Sequence, residues 1–347
     1  MIQFPGVLHI GNFLSRHGKT TQQIEDLADR LAACGWSILR TSSRLNRAAR
    51  LADMLTTIVR RRKQYEVAHI ALFSGAAFLW ADCSARLLRA IGRPFVVSLH
   101  GGNLPRYTAR RPARVRRLLH SAVSVVAPSR YLAEALAPYA PPIQLIPNAF
   151  DLAHYPFVSR ETLAPRLVWL RSFHQIYRPQ LAPAVLARLL PQFPETTLLM
   201  VGPEKDSSLA QTRAEAERLG VGARVEIIPG VPKAQVPAML ARGDIFLNTT
   251  SIDNTPVSVL EAMACGLCVV STDVGGIPYL LTEGDDALLT PPDDAAAMAD
   301  AALRLLGDRA LAARISAGGR ATAERCDWAQ TLPLWEQMLR DAAGGMR

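Results

Sequence analysis

The strongest constraint on this chain is an alternation that runs almost its whole length: short apolar runs of strand size, each followed by a stretch with helical spacing. Residues 6–12 are such a run, and 18–35 then places Ile24, Leu27, Ala28 and Leu31 on one side of a helix. The pair of signals returns at WSILRTSS with about 46–63, at 66–74 with 77–91, at 94–100 with a basic helix at about 106–120, and at AVSVVAP with a short helix from Ser129; IQLIPN follows. A second round opens at RLVWLRSF with a helix near 179–190, then 196–202 with 207–219, RVEIIPG with 233–242, and the run 244–250. LLTPPDD marks a further turn, and helices at about 294–306, 309–324 and 329–344 close the chain. Repeated strand–helix units of this kind form α/β domains built on doubly wound parallel sheets. The turn-like segment 158–166 is the expected linker, so 1–160 and 161–327 are read as two Rossmann-like domains and 328–347 as a terminal helix. A length of 347 residues suffices for two cores.

Residues 253–276, DNTPVSVLEAMACGLCVVSTDVGG, break the monotony of that pattern. Thr255 suits an N-cap and Pro256 a first helical position, Val257, Leu260, Ala262, Met263 and Ala264 make the helix largely apolar, and Gly266 ends it before the buried strand LCVVST. The first turn of a helix leaves backbone N–H groups unpaired and carries the positive end of the helix dipole, here at Val257 and Ser258, so an anion is favoured there. Glu261 shares their face, and Asp253 lies in the loop just before. Two carboxylates eight residues apart thus bracket a phosphate site, which matches the hydroxyl-rich groups on either side of the diphosphate in a nucleotide-sugar.

This run resembles the signature of the retaining glycosyltransferases of family 4 (glycosyltransferase group 1): Glu, seven residues, Glu, a small-residue helix and a Gly-Gly turn. Here Asp253 takes the first acidic place and Glu261 the second, so the shorter carboxylate departs from the commonest form. The resemblance implies a GT-B fold, two Rossmann-like domains facing across a cleft, with the final helix, LPLWEQMLRDAA here, crossing back to the first domain. It also implies donor binding in the second domain, with Asp253, Asn254, Thr255 and Val257 holding sugar and phosphates and Glu261 holding the ribose.

Ligands of such sheets bind beyond the carboxyl ends of the strands, and this rule selects the other candidates. Gly11 ends the first strand, in a loop that in related enzymes lies near the donor phosphates. His100 ends its strand before Gly101-Gly102 and resembles the family's active-site histidine, which contacts the donor sugar. Arg171 ends the first strand of the second half, where the family has an Arg that neutralises the departing nucleoside diphosphate; the fork of an Arg binds two phosphate oxygens at once. The family's Lys a few residues on is missing from SFHQIYRP, and Arg178 is the expected replacement, with His174 a weaker one. Gly202-Pro203 and PGVPKAQ, with Gly230 and Val231, are expected beside the nucleotide base. His9 and His69 lie inside strands and are read as core or edge residues.

The net charge of +9 is unevenly placed: residues 1–165 carry 22 Lys+Arg and 9 Asp+Glu, a net of +13, and the rest carry 17 and 21, a net of −4. Clusters at Arg60, Arg61, Arg62 and Lys63, and at Arg106, Arg110, Arg111, Arg114, Arg116 and Arg117, are either solvated helix faces or a surface for an anionic partner such as a lipid headgroup or acidic acceptor. Nucleic acid is not an expected partner, since aromatic residues are 6% and no recognition motif accompanies the charge. No apolar stretch reaches membrane-span length and MIQFPGVLHIGN has no leader pattern, which points to the cytoplasm, with the chain peripheral on the inner face of the membrane. Cys265-x-x-Cys268 has no second pair and reads as buried packing. Gly18-Lys19-Thr20 resembles part of a P-loop, but Phe13 stands where such a loop has Gly. No Asp-x-Asp occurs, so no metal or other cofactor is expected beyond a UDP- or GDP-linked donor substrate.

The function expected from these residues is metal-independent transfer of a sugar, with retention, from a nucleoside-diphosphate-sugar to an acceptor hydroxyl on a sugar or lipid-linked acceptor, in cell-envelope polysaccharide or glycolipid synthesis. Two alternatives are a nucleotide-sugar epimerase with the same two domains, and a non-catalytic protein that docks on anionic membranes.

Overall fold

The computed structural model of the chain describes residues 4–18 and 21–345, which leaves Lys19 and Thr20 of the Gly-Lys-Thr run outside it. It divides into two compact units, 1–149 with 329–347, and 150–328. The first unit holds a six-stranded parallel sheet of β1 (Val7–Ile10), β2 (Ile38–Thr41), β3 (Val67–Leu72), β4 (Phe95–Leu99), β5 (Ser124–Ala127) and β6 (Ile143–Leu145), in the order 2-1-3-4-5-6. The second holds β7 (Arg166–Leu170), β8 (Thr197–Val201), β9 (Val225–Ile228), β10 (Ile245–Asn248), β11 (Cys268–Thr272) and β12 (Leu288–Thr290), in the order 12-11-10-7-8-9. Counted within its own unit, the second sheet reads 3-2-1-4-5-6 from its far edge, the order of the dinucleotide-binding fold.

Local chemistry sets most of the helices. Asn46 accepts from Ala48 N and Ala49 N, both at 3.0 Å, and starts the helix Arg47–Arg60; Ser129 caps Arg130–Leu136 through Leu132 N. The apolar faces of these helices lie on sheets whose strands are buried on both sides, as parallel sheets require. The terminal helix Trp328–Gly344 supplies buried Trp335, Met338 and Leu339 to the first unit, where Trp36 Nε1 donates to Glu336 at 2.9 Å.

Four expectations change. The basic helix at 106–120 is two helices, Leu104–Arg110 and Pro112–Leu119, because Pro112 drives Arg111 out of helical conformation, to φ −140°, ψ 52°. The motif helix starts at Val257 with Pro256 as its N-cap, one residue later than Thr255 would have set, since Pro256 is extended at ψ 112°. Leu288–Thr290, read as part of a turn, is a strand paired with β11. The units divide between Ala149 and Phe150, not at 160, because 158–166 packs into the second unit. Arg160 is 6% exposed, and its guanidinium bonds Asp244, Cys265 O and Gly243 O.

Candidate active site

In the second sheet the strand order reverses between β7 and β10, and the loops leaving their carboxyl ends frame the position where such folds bind ligands. Those two loops are stitched together. Thr249 Oγ1 donates to Tyr177 O at 2.6 Å and accepts from Trp169 Nε1 at 2.9 Å, while Ser251 N donates to Ile176 O at 2.8 Å. The stitching brings the guanidinium of Arg171 against the carboxylate of Asp253, 82 positions later, in an ion pair whose side chains are 14% and 16% exposed. The ring of Tyr177 lies 4.2 Å beneath the guanidinium. Burial lowers the pKa of Arg171, while Tyr177 and Glu261 act in the opposite sense.

Asp253 Oδ1 accepts from Asn254 N at 2.9 Å, and Asp253 O accepts from Gly276 N at 2.9 Å. A Cβ on Gly275 would lie 2.3 Å from Asp253 O, and one on Gly276 2.2 Å from Asn254 O, so the double glycine after β11 is what lets this loop lie so close. Asn254 and Thr255 are buried beside it. In the helix Val257–Ala264, Val259 N and Leu260 N return to Pro256 O, whereas the amides of Val257 and Ser258 have no acceptor among the described residues. Ser258 Oγ and Arg171 Nε are likewise buried without a hydrogen-bond partner there. Buried polar atoms are normally paired. A run of unpaired donors at a helix start beside an Arg is what an anion with several oxygens would satisfy.

Glu261 is 7% exposed, on the face of that helix shared with Val257 and Ser258. Tyr155 O–H donates to its Oε1 at 2.6 Å, and burial, then the Glu261 charge, push the phenol far above its ordinary pKa. One carboxylate oxygen is thereby oriented by a rigid ring. Tyr155 and Tyr177 were not among the residues picked out from the sequence, where nothing in their local pattern marks them; each acts on a partner brought close only by folding.

The remaining candidates fall as follows. A Cβ at Gly202 would lie 1.7 Å from Arg171 O, so this glycine seats the Arg171 backbone, while Gly202 N donates to Ile228 O at 3.0 Å. Gly230, at φ 125°, passes Pro203, and Val231 packs on the neighbouring core. Arg178, expected in place of the family's lysine, is held by Asp293 at 3.0 Å, with both side chains roughly half exposed; it is not part of the Arg171–Asp253 pair. His174 Nδ1 accepts from Ile176 N at 3.1 Å and serves the turn. Gly11 and His100 belong to the first unit. Gly11 N donates to Thr41 O at 2.7 Å, its carbonyl accepts from Ser42 N at 2.8 Å, and a Cβ there would press on Ile24 at 3.0 Å. The backbone of Gly11 is therefore spent on closing β1 against β2. His100 stacks on Phe73, ring centroids 5.0 Å apart, with Nε2 2.9 Å from Ser98 Oγ, and burial lowers its pKa to about 4. Cys265 and Cys268 are buried, their thiols pushed up to about 11 and about 12 by burial, as packing residues would be. Among the described residues no helix is long and apolar enough to cross a membrane, and no group of three or more His, Cys, Asp or Glu could hold a metal ion.

Comparison with known proteins agrees with this arrangement. The family profile described as Glycosyltransferase Family 4 matches residues 15–154, and that described as Glycosyl transferases group 1 matches residues 164–308. The chain is 30% identical over 166 residues to a phosphatidylinositol N-acetylglucosaminyltransferase of Arabidopsis thaliana, covering 47% of this chain and 36% of that protein. It is 29% identical over 196 residues to phosphatidyl-myo-inositol mannosyltransferase of Mycobacterium tuberculosis, covering 53% and 50%. The chain thus spans about a third to a half of the curated relatives it matches. Among solved structures it resembles sucrose-phosphate synthase of Thermosynechococcus elongatus, with a TM-score of 0.77 at 19% identity over 97% of this chain and 98% of that one. It also resembles Anabaena HepE in complex with UDP and glucose, with a TM-score of 0.76 at 18% identity over 97% and 100%. At these identities the likeness carries the fold, which is GT-B. With both halves matched in turn and the acidic motif in its place, the chain belongs to glycosyltransferase family 4, the group 1 glycosyltransferases.

Proposed function

We propose that this protein is a retaining glycosyltransferase that moves a hexose-type sugar from a UDP- or GDP-linked donor to an acceptor hydroxyl held by its first unit. The observation that carries the reading is the set of unpaired donors at the start of the helix Val257–Ala264, bracketed by the Arg171–Asp253 pair and by Glu261. Diphosphate oxygens take the amides of Val257 and Ser258 and the guanidinium of Arg171, which stabilise the negative charge that grows as the sugar–phosphate bond breaks. A diol suits Glu261, whose Oε1 is fixed by Tyr155, and the ribose is the diol next to the diphosphate. Asp253 then exchanges Arg171 for a sugar hydroxyl. His100, neutral at pH 7 with its pKa lowered by burial, contributes a hydrogen bond to the sugar rather than a charge. The leaving diphosphate takes the acceptor proton in a front-face transfer, and catalysis needs no bound metal.

The acceptor is proposed to be anionic or lipid-linked, as in cell-envelope polysaccharide or glycolipid assembly. Two relatives are named for phosphatidylinositol substrates, and the first unit exposes Arg60, Arg61, Arg62 and Lys63, and Arg106, Arg110, Arg111, Arg116 and Arg117. The same surface would hold the protein at the inner face of the membrane. Thermal shift against a panel of UDP- and GDP-sugars identifies the donor, since a ligand of the native state raises the melting point. Turnover of that donor, with proton NMR of the product's anomeric centre, then tests transfer and retention. Turnover that survives both Glu261→Ala and Arg171→Ala, or an inverted product, would defeat the reading.

A further inference from the structure

One face of the first sheet carries a polar stripe through an otherwise apolar interior. Parallel register sets His9 beside Arg40 on β2 and beside His69 on β3; Ser98 lies on β4 two residues further along, and His100 follows two residues later. The side chains touch in series. His9 Nδ1 is 3.0 Å from His69 Nδ1, His69 Nε2 is 2.7 Å from Ser98 Oγ, and Ser98 Oγ is 2.9 Å from His100 Nε2. His9, His69 and Ser98 are buried, and Trp335 of the terminal helix covers His69 with ring centroids 4.9 Å apart.

Burial keeps all three imidazoles neutral at pH 7, with His9 lowered to about 3, His69 lowered well below its ordinary value and His100 lowered to about 4. A neutral ring has one N–H and one bare nitrogen, and the partner of one nitrogen decides where the proton sits. Contacts in series then allow two self-consistent arrangements. In the first, His9 Nδ1–H donates to His69 Nδ1, His69 Nε2–H donates to Ser98 Oγ, and Ser98 O–H donates to His100 Nε2, so His100 carries its proton on Nδ1. The second reverses every bond and places an N–H at His9 Nε2. That atom is buried with no hydrogen-bond partner among the described residues. An orphaned buried N–H is a rarer defect than an unfilled acceptor, which favours the first arrangement.

We propose that His9, His69 and Ser98 are positioning residues that lock His100 as its Nδ1–H tautomer and make it a neutral hydrogen-bond donor to an oxygen of bound substrate. The identity of that substrate as the donor sugar rests on the function proposed above; the lock itself does not. The test is long-range proton–nitrogen NMR of the full-length protein labelled with 15N-histidine, at pH 7.5. His100 is expected to show a pyrrole-like Nδ1 and a pyridine-like Nε2. Ser98→Ala should abolish that pattern and lower kcat about tenfold, the worth of one hydrogen bond, with Ser98→Thr restoring both. A pyrrole-like Nε2 of His100 in the unaltered protein overturns the lock, and so does a Ser98→Ala spectrum in which His100 is unchanged. Should Ser98→Ala fail to fold, the spectrum of the unaltered protein decides alone. The expected tautomer without turnover of any nucleotide-sugar would sink the proposed function and leave the lock standing.

Discussion

Mild acid should loosen the first unit selectively. His9 and His69 are 0% and 1% exposed, and both are held neutral by burial. Their folded pKa values lie below the unfolded value of about 6.5, so the unfolded chain binds more protons, and stability present above about pH 6.5 is lost as pH falls. Taking the unfolded value alone, each neutral ring costs about 2 kcal/mol at pH 5, or about 4 kcal/mol for the pair. His100 adds to this in the same direction. That is a large part of the roughly 5–15 kcal/mol that holds a domain folded. In the second unit, the side chains of His154 and His174 are 72% and 40% exposed and carry no such penalty. Peptide-resolved hydrogen exchange at pH 7.5 and pH 5, corrected for intrinsic exchange rates, separates the units. Peptides from β1 and β3 should lose about 4 kcal/mol of protection, those from β7 and β10 less than about 1 kcal/mol, and His9→Gln should reduce the first figure by about 2 kcal/mol. Equal loss in both units, or none in β1 and β3, would refute the reasoning.

Tyr155→Phe removes the 2.6 Å hydrogen bond to Glu261 and should weaken binding of the preferred nucleoside diphosphate about tenfold by calorimetric titration, with the fold intact. Gly202→Ala places a Cβ 1.7 Å from Arg171 O and should destabilise the second unit by more than about 2 kcal/mol in urea melts while lowering nucleotide affinity; an unchanged affinity would separate Gly202 from the site. Arg160→Met strands the buried carboxylate of Asp244 and should cost about 3–5 kcal/mol, whereas Arg166→Ala, at the half-exposed partner of the same carboxylate, should cost about 1 kcal/mol or less in the same melts.

The legible parts of this chain are those written at short range. Apolar runs and helical periods located most elements, because burial on both faces of a parallel sheet demands continuous apolar strands. A three-residue strand at Leu288–Thr290 was too short to stand out before Pro291 and Pro292, and the turn-like composition of 158–166 concealed a segment anchored by Arg160, whose partners lie 83 to 105 positions away. At the site, Asp253, Val257 and Glu261 were legible because one helix start holds them in fixed spacing. Arg178 was misplaced by the same logic, as its partner Asp293 lies 115 positions away.

By itself, the sequence determined the two rounds of strand and helix, the acidic motif with its anion-ready helix start, and through them the family. Only the tertiary structure decided that Arg171 meets Asp253, that Tyr155 grips Glu261 across 106 positions, and that His9, His69, Ser98 and His100 join in one chain. Spacing along a helix or strand follows from backbone geometry that every chain shares. Which strands become neighbours, and so which side chains touch across them, depends on how whole layers pack.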